Sequence, residues 1–157
     1  MKRDRCQPLY QRWQAVARTQ ADRPAVHLVA EGRILTFAEL LAAGEAAAPS
    51  GPQVIADGKG LPLLLDVLRA WRDNAVLVPC DGGTVLLPDL AGCHPRICHI
   101  KTTSGSTGTP RQVLFTPAQL AADADQIVRT MGLRQDWPNV VVISMAHSYG
   151  FSSLVLP

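Results

Sequence analysis

The chain has 157 residues, 47% hydrophobic and 18% charged, with a formal net charge of +2. That balance describes one globular domain with a core of its own and excludes a disordered or low-complexity chain. So small a charge gives no basis for binding nucleic acid, and no apolar run reaches the roughly 18 residues of a membrane span.

In chain order, "LYQRWQAVART" predicts an opening helix with Leu9, Trp13 and Val16 on one side. "AVHLVA" reads as a strand and "GRIL" as its hairpin return. Thr36 and Glu39 have the S/T-x-x-E spacing of a capping box, which opens a helix through Ala48 that stops at "PSGP". "QVIAD" is a brief strand. After "DGKG", Pro62 suits a first helical turn, and Leu61, Leu64, Leu65, Leu68 and Trp71 recur at helical spacing. "AVLVP", "TVLLP" and "RICHIK" are runs of strand length, and "QVLFT" is a strand ending at Thr116. Thr116, Pro117 and Gln119 then begin a second capped helix, with Leu120, Ala124, Ile127, Val128 and Met131 inward and Gly132 as terminator. "NVVVISM" closes as a fully apolar strand of the kind buried on both faces. This alternation predicts an α/β fold with a largely parallel sheet and flanking helices.

Between "RICHIK" and "QVLFT" lies the most unusual stretch. Thr102, Thr103, Ser104, Gly105, Ser106, Thr107, Gly108 and Thr109 bear hydroxyls or no side chain, with Lys101 before them and Arg111 after. Gly105 and Gly108 permit a backbone nest of N–H groups, the hydroxyls add donors, and the two cations add long-range attraction. No carboxylate intrudes between residues 90 and 122. The residues alone leave two readings open, a polar hairpin turn or a cradle for an anion. A Walker A loop is excluded, because no G-x-x-x-x-G-K-[ST] can be threaded through it.

The chemistry-bearing residues elsewhere are sparser. Cys93, His94, Cys98 and His99 are zinc-ligand types, but their spacing matches no knuckle or haem motif, and no metal site is expected. The N-terminal "MKRDRCQPLYQRWQAVARTQ" has no apolar core of a signal peptide. Four cysteines without a secretory signal point to a reducing, cytoplasmic setting. His147 follows an apolar run, and a lone histidine there is more often a core or surface residue than a functional one.

"TTSGSTGTPR" resembles the phosphate-binding signature of the adenylate-forming (AMP-binding) superfamily, T-S-G-[ST]-T-G-x-P-K-G, shared by acyl-CoA synthetases, acyl-AMP ligases and peptide-synthetase adenylation domains. "RPAVHLVAEGRILTFAEL", "VLRAWRDNAVLVPCD" and "SMAHSYGFSSL" resemble further segments of that family in the same order. The resemblance implies the N-terminal part of an adenylate-forming fold, with residues 1–157 the N-terminal portion of an AMP-binding domain whose C-terminal remainder is absent. It implies ATP-dependent activation of a small-molecule carboxylic acid as acyl-AMP, followed by transfer to a thiol of coenzyme A or a carrier protein. Thr102, Thr103, Ser104, Gly105, Ser106, Thr107 and Gly108 would hold ATP phosphates, and Arg111 would stand where the family usually has Lys. Gln112 replaces a usual Gly. His147 would lie beside the reacting carboxylate. The Mg2+ ligand, the ribose contact and a catalytic Lys are expected in the missing C-terminal portion, in the same or another chain, so this chain alone is expected to be inactive. A nucleotide-binding or structural remnant without catalysis is the alternative.

Overall fold

A computed structural model of the chain describes residues 5–57, 59–82, 89–102, 111–147 and 150–152. The opening helix α1 (Gln7–Thr19) has proline in its first turn, where the missing N–H costs nothing. A two-stranded antiparallel hairpin follows, β1 (Pro24–Leu28) and β2 (Arg33–Thr36), with Gly32 in the left-handed region at φ 59°. Val29, expected in the first strand, lies instead in a short helical turn and is exposed.

Helix α2 (Phe37–Ala46) opens on the expected capping box. The Glu39 N–H donates to Thr36 Oγ1 at 3.2 Å, and the Thr36 N–H donates to Glu39 Oε2 at 2.8 Å. The Thr36 N–H, and secondarily the Thr36 hydroxyl, hold the Glu39 carboxyl below its usual range. The helix ends two residues short of Ala48 because Ala47 turns extended ahead of Pro49. Its last carbonyls are nonetheless satisfied. The Arg72 guanidinium donates to Gly44 O at 2.7 Å and Glu45 O at 3.0 Å while forking onto Asp73.

The main sheet runs β3 (Gln53–Asp57), β4 (Val76–Cys80), β5 (His99–Thr102) and β6 (Gln112–Phe115) in spatial order. The first three strands are parallel, and β6 returns antiparallel to β5. The α/β fold with a largely parallel sheet is therefore the observed one. Strand β4 is central and buried on both sides, which is why its sequence is continuously apolar. On one face Leu77 joins the principal core with α1 and α3 (Leu61–Arg72); on the other, Val76, Val78, Ile97 and Ile100 pack together.

Three expectations are corrected. In α3 the buried positions are Leu63, Val67, Leu68, Ala70 and Trp71, whereas Leu61, Leu64 and Leu65 are only half-buried. The helix is wedged between α1, α2 and the sheet, so its buried arc is wider than one stripe. In α4 (Pro117–Met131), capped by Thr116 and ended by Gly132 as expected, Leu120 and Ala124 are buried but Met131 is exposed at the last turn. Finally, "NVVVISM" is no buried strand: Val140 and Val142 are 75% and 83% exposed. An apolar run becomes a strand only where a ladder partner meets it, and none does among the described residues. The expected strand "TVLLP" lies outside the described residues.

Candidate functional site

Parallel strands converge their carboxyl ends on one edge, the usual place for a ligand in an open α/β sheet. Here that edge carries Asp57, Cys80, Asp81, Lys101 and Thr102. The Gly82 N–H donates to Asp57 Oδ1 at 3.2 Å, tying the exit of β4 to the exit of β3.

The β5–β6 hairpin presents the two ends of the Gly/Ser/Thr stretch. Thr102 faces Gln112 and Lys101 faces Val113, so the strands are in register up to the loop. Thr102 and Arg111 are both exposed there. Residues Thr103, Ser104, Gly105, Ser106, Thr107 and Gly108 lie outside the described residues. Side chains alternate along a strand, so Lys101, Val113 and, one step beyond β6, Arg111 belong to one face.

His147 reaches this edge by a separate route. Its N–H donates to Ser144 O at 3.1 Å, and its carbonyl accepts from Phe151 N–H at 2.8 Å. Gly150 makes the turn possible, since a Cβ there would collide with the Ser144 carbonyl oxygen. Met145 and Phe151 anchor the turn in the core, at 7% and 1% exposure. With its ends buried, the turn leaves His147 61% exposed, its Nε2 3.8 Å from Asp81 Oδ2. The structure thus brings His147 to the end of β4.

Beneath the hairpin is a cluster that the residue patterns did not single out as a site. His99, fully buried, has its ring 4.3 Å from Phe151 and 5.9 Å from Phe115, centroid to centroid. Neither of its nitrogens has a hydrogen-bond partner among the described residues. Burial, and secondarily the neighbouring Lys101 charge, push its pKa down to about 3, so the ring is neutral. Lys101, on the same face, is 8% exposed, its Nζ over the rings of Phe115 at 5.0 Å and Phe151 at 5.4 Å. Burial lowers its pKa, partly offset by Asp123. The available signal was the alternation in "HIK", which places two titratable side chains on one face of a buried strand.

Among the described residues, no group of three His, Cys, Asp or Glu side chains is gathered as a metal site would require. Cys93 and Cys98 are apart in character, the first half-buried and the second in the core. Nor, among the described residues, is any helix long and apolar enough to cross a membrane.

No protein-family model matches the sequence, and no curated protein matches it. Solved structures do match the fold. The inhibitor-bound N-terminal domain of FACL13 from Mycobacterium tuberculosis superposes with a TM-score of 0.76 at 13% identity, over 94% of this chain and 54% of that one. ATP-bound MatB from Rhodopseudomonas palustris gives 0.70 at 15% identity, over 94% and 42%. o-Succinylbenzoate CoA synthetase (MenE) from Bacillus subtilis, in complex with AMP, gives 0.71 at 15% identity, over 93% and 51%. The chain therefore spans between 42% and 54% of the length of these proteins. Its fold is that of the N-terminal portion of adenylate-forming enzymes.

Proposed function

We propose that the chain carries the ATP-phosphate-binding part of a carboxylate-activating ligase. In that reaction a carboxylate attacks the α-phosphate of ATP, acyl-AMP forms, and pyrophosphate leaves; a thiol of coenzyme A or a carrier protein then takes the acyl group and releases AMP. Bringing one anion onto another requires that the triphosphate be neutralised and the leaving pyrophosphate be held as its charge grows. The observation that supports this reading is the β5–β6 hairpin, whose two ends, Thr102 and Arg111, lie at the carboxyl edge of a largely parallel sheet. Two fold neighbours, one bound to ATP and one in complex with AMP, agree with it.

In this reading Thr102, the loop residues Thr103 to Gly108 and Arg111 hold the β- and γ-phosphates, with Arg111 able to fork onto two oxygens. His147 faces the carboxylic acid or the acyl phosphate as a hydrogen-bond donor. Mg2+, when bound, would supply positive charge against the triphosphate; the described residues present no cluster to hold it. We take the chain as the N-terminal portion of a longer AMP-binding domain, in keeping with the share of its fold neighbours that it spans. A reducing, cytoplasmic setting fits its unpaired cysteine thiols.

Pyrophosphate exchange tests the reading. The longer parent, supplied with a panel of fatty and aryl acids, should return label from pyrophosphate to ATP. Absence of exchange in a folded, soluble parent across the panel would leave only a nucleotide-binding or structural remnant.

A further inference from the structure

Asp81 and His147 meet at the carboxyl edge of the sheet, and the backbone is fixed around both. Cys80 pairs with Asp57 in the ladder, and the Gly82 N–H donates to the Asp57 carboxylate at 3.2 Å, so one neighbour holds the residues on either side of Asp81. His147 is held in a similar way, its N–H donating to Ser144 O and its carbonyl accepting from the Phe151 N–H. Both side chains are short, so little rotamer freedom is lost when they face each other. Nε2 lies 3.8 Å from Asp81 Oδ2, an ion-pair distance, and among the described residues no other acidic group pairs with this ring. With the two side chains 61% and 37% exposed, the pair contributes little to stability. What it does set is the orientation of the imidazole.

We propose that Asp81 is a positioning residue for His147, turning Nε2 toward the exit of β4 and leaving Nδ1 as the nitrogen that meets the carboxylate of the acid. The proposal rests on the reading above that His147 faces the acid, and adds to it the residue that orients the ring. The two nitrogens of an imidazole are not equivalent, because the partner of one decides what the other has to offer. A carboxylate beside Nε2 keeps a proton there. When Nδ1 is protonated as well, Asp81 balances the charge of the imidazolium, and Nδ1–H donates a charge-assisted bond to the incoming carboxylate. Without Asp81 the ring is free to turn over, and the donor is no longer aimed. Aiming it beforehand spares the ordering cost of binding.

Long-range proton–nitrogen NMR of the histidine rings in the full chain tests the orientation, and steady-state kinetics of the longer parent test its use. His147→Gln tells this ring apart from the other three histidines. Asp81→Asn should move both ring nitrogen signals of His147, and Asp81→Glu should return them toward wild type, with the melting temperature little changed in either. In the parent, Asp81→Asn should raise KM for the acid about two- to fivefold, the size expected of a partly exposed ion pair, with kcat and the KM for ATP changed less. Asp81→Glu should recover most of that loss. Ring signals identical in wild type and Asp81→Asn overturn the proposal, while a raised acid KM in His147→Ala would still uphold the acid reading. An Asp81→Asn parent with unchanged acid KM overturns it too, and marks the pair as a structural contact. If His147→Ala itself leaves the acid kinetics untouched, the reading of His147 fails and the proposal fails with it.

Discussion

Phe151 stacks against His99 with ring centroids 4.3 Å apart and planes tilted by 41°, and neither side chain retains more than 1% of its exposure. The contact joins the turn that carries His147 to the strand that leads into the Gly/Ser/Thr loop. Phe151→Ala should therefore cost about 3–5 kcal/mol of stability, as large-to-small changes at fully buried aromatics do. Phe151→Leu should cost less, since most of the volume remains. Denaturant unfolding of both variants measures this, and a loss under about 1 kcal/mol for the alanine would contradict the burial described here.

Gly150 leads to a second expectation. A methyl group there meets the Ser144 carbonyl, a backbone atom that cannot rotate away. Gly150→Ala should destabilise the chain by about 1–3 kcal/mol and displace His147, because the same turn positions both. If the alanine variant melts like wild type, with the His147 imidazole NMR signals unmoved, the close approach is not real.

His99 makes stability depend on acid. Its folded pKa lies at about 3, below the ordinary value of 6.5, so the unfolded chain binds its proton first. The stability that goes with the neutral ring is present above pH 6.5 and is lost as pH falls toward 3. Over that window the slope due to this one group approaches about 1.4 kcal/mol per pH unit. His99→Phe should flatten the loss by that amount while leaving the contributions of carboxylates such as Asp73, whose pKa Arg72 lowers. Identical pH–stability curves for the two proteins would show that the ring is not held neutral.

Arg111 and His147 should divide the substrates of the longer parent between them. Arg111→Ala should lower kcat/KM for ATP about ten- to a hundredfold whatever acid is supplied, and Arg111→Lys should be milder. His147→Ala should instead raise KM for the acid or change the preferred acid, with less effect on ATP. Kinetics varied in both substrates separate the roles. Were His147→Ala to harm only the use of ATP, the assignment of histidine to acid and loop to phosphate would be wrong.

What could be read from the chain itself was whatever is settled within a few residues. The capping boxes at Thr36 and Thr116 and the left-handed stop at Gly132 all appear as expected, because each depends on groups one turn away. The apolar run of β4 was likewise legible as a strand, while its burial on both faces was decided by its neighbours in the sheet. The Gly/Ser/Thr stretch was legible as a motif, and only its ends, Thr102 and Arg111, fall within the described residues.

Other features depended on partners distant in sequence. "NVVVISM" has the same pattern as a buried strand, yet Val140 to Ile143 are exposed, because a strand requires a neighbour and pattern does not supply one. Asp81 beside His147, and Phe151 over His99 and Lys101, join segments with no local signal linking them. Packing across the sheet decided that His99 and Lys101 are buried rather than solvated, and burial is what makes the histidine neutral and lowers the lysine pKa.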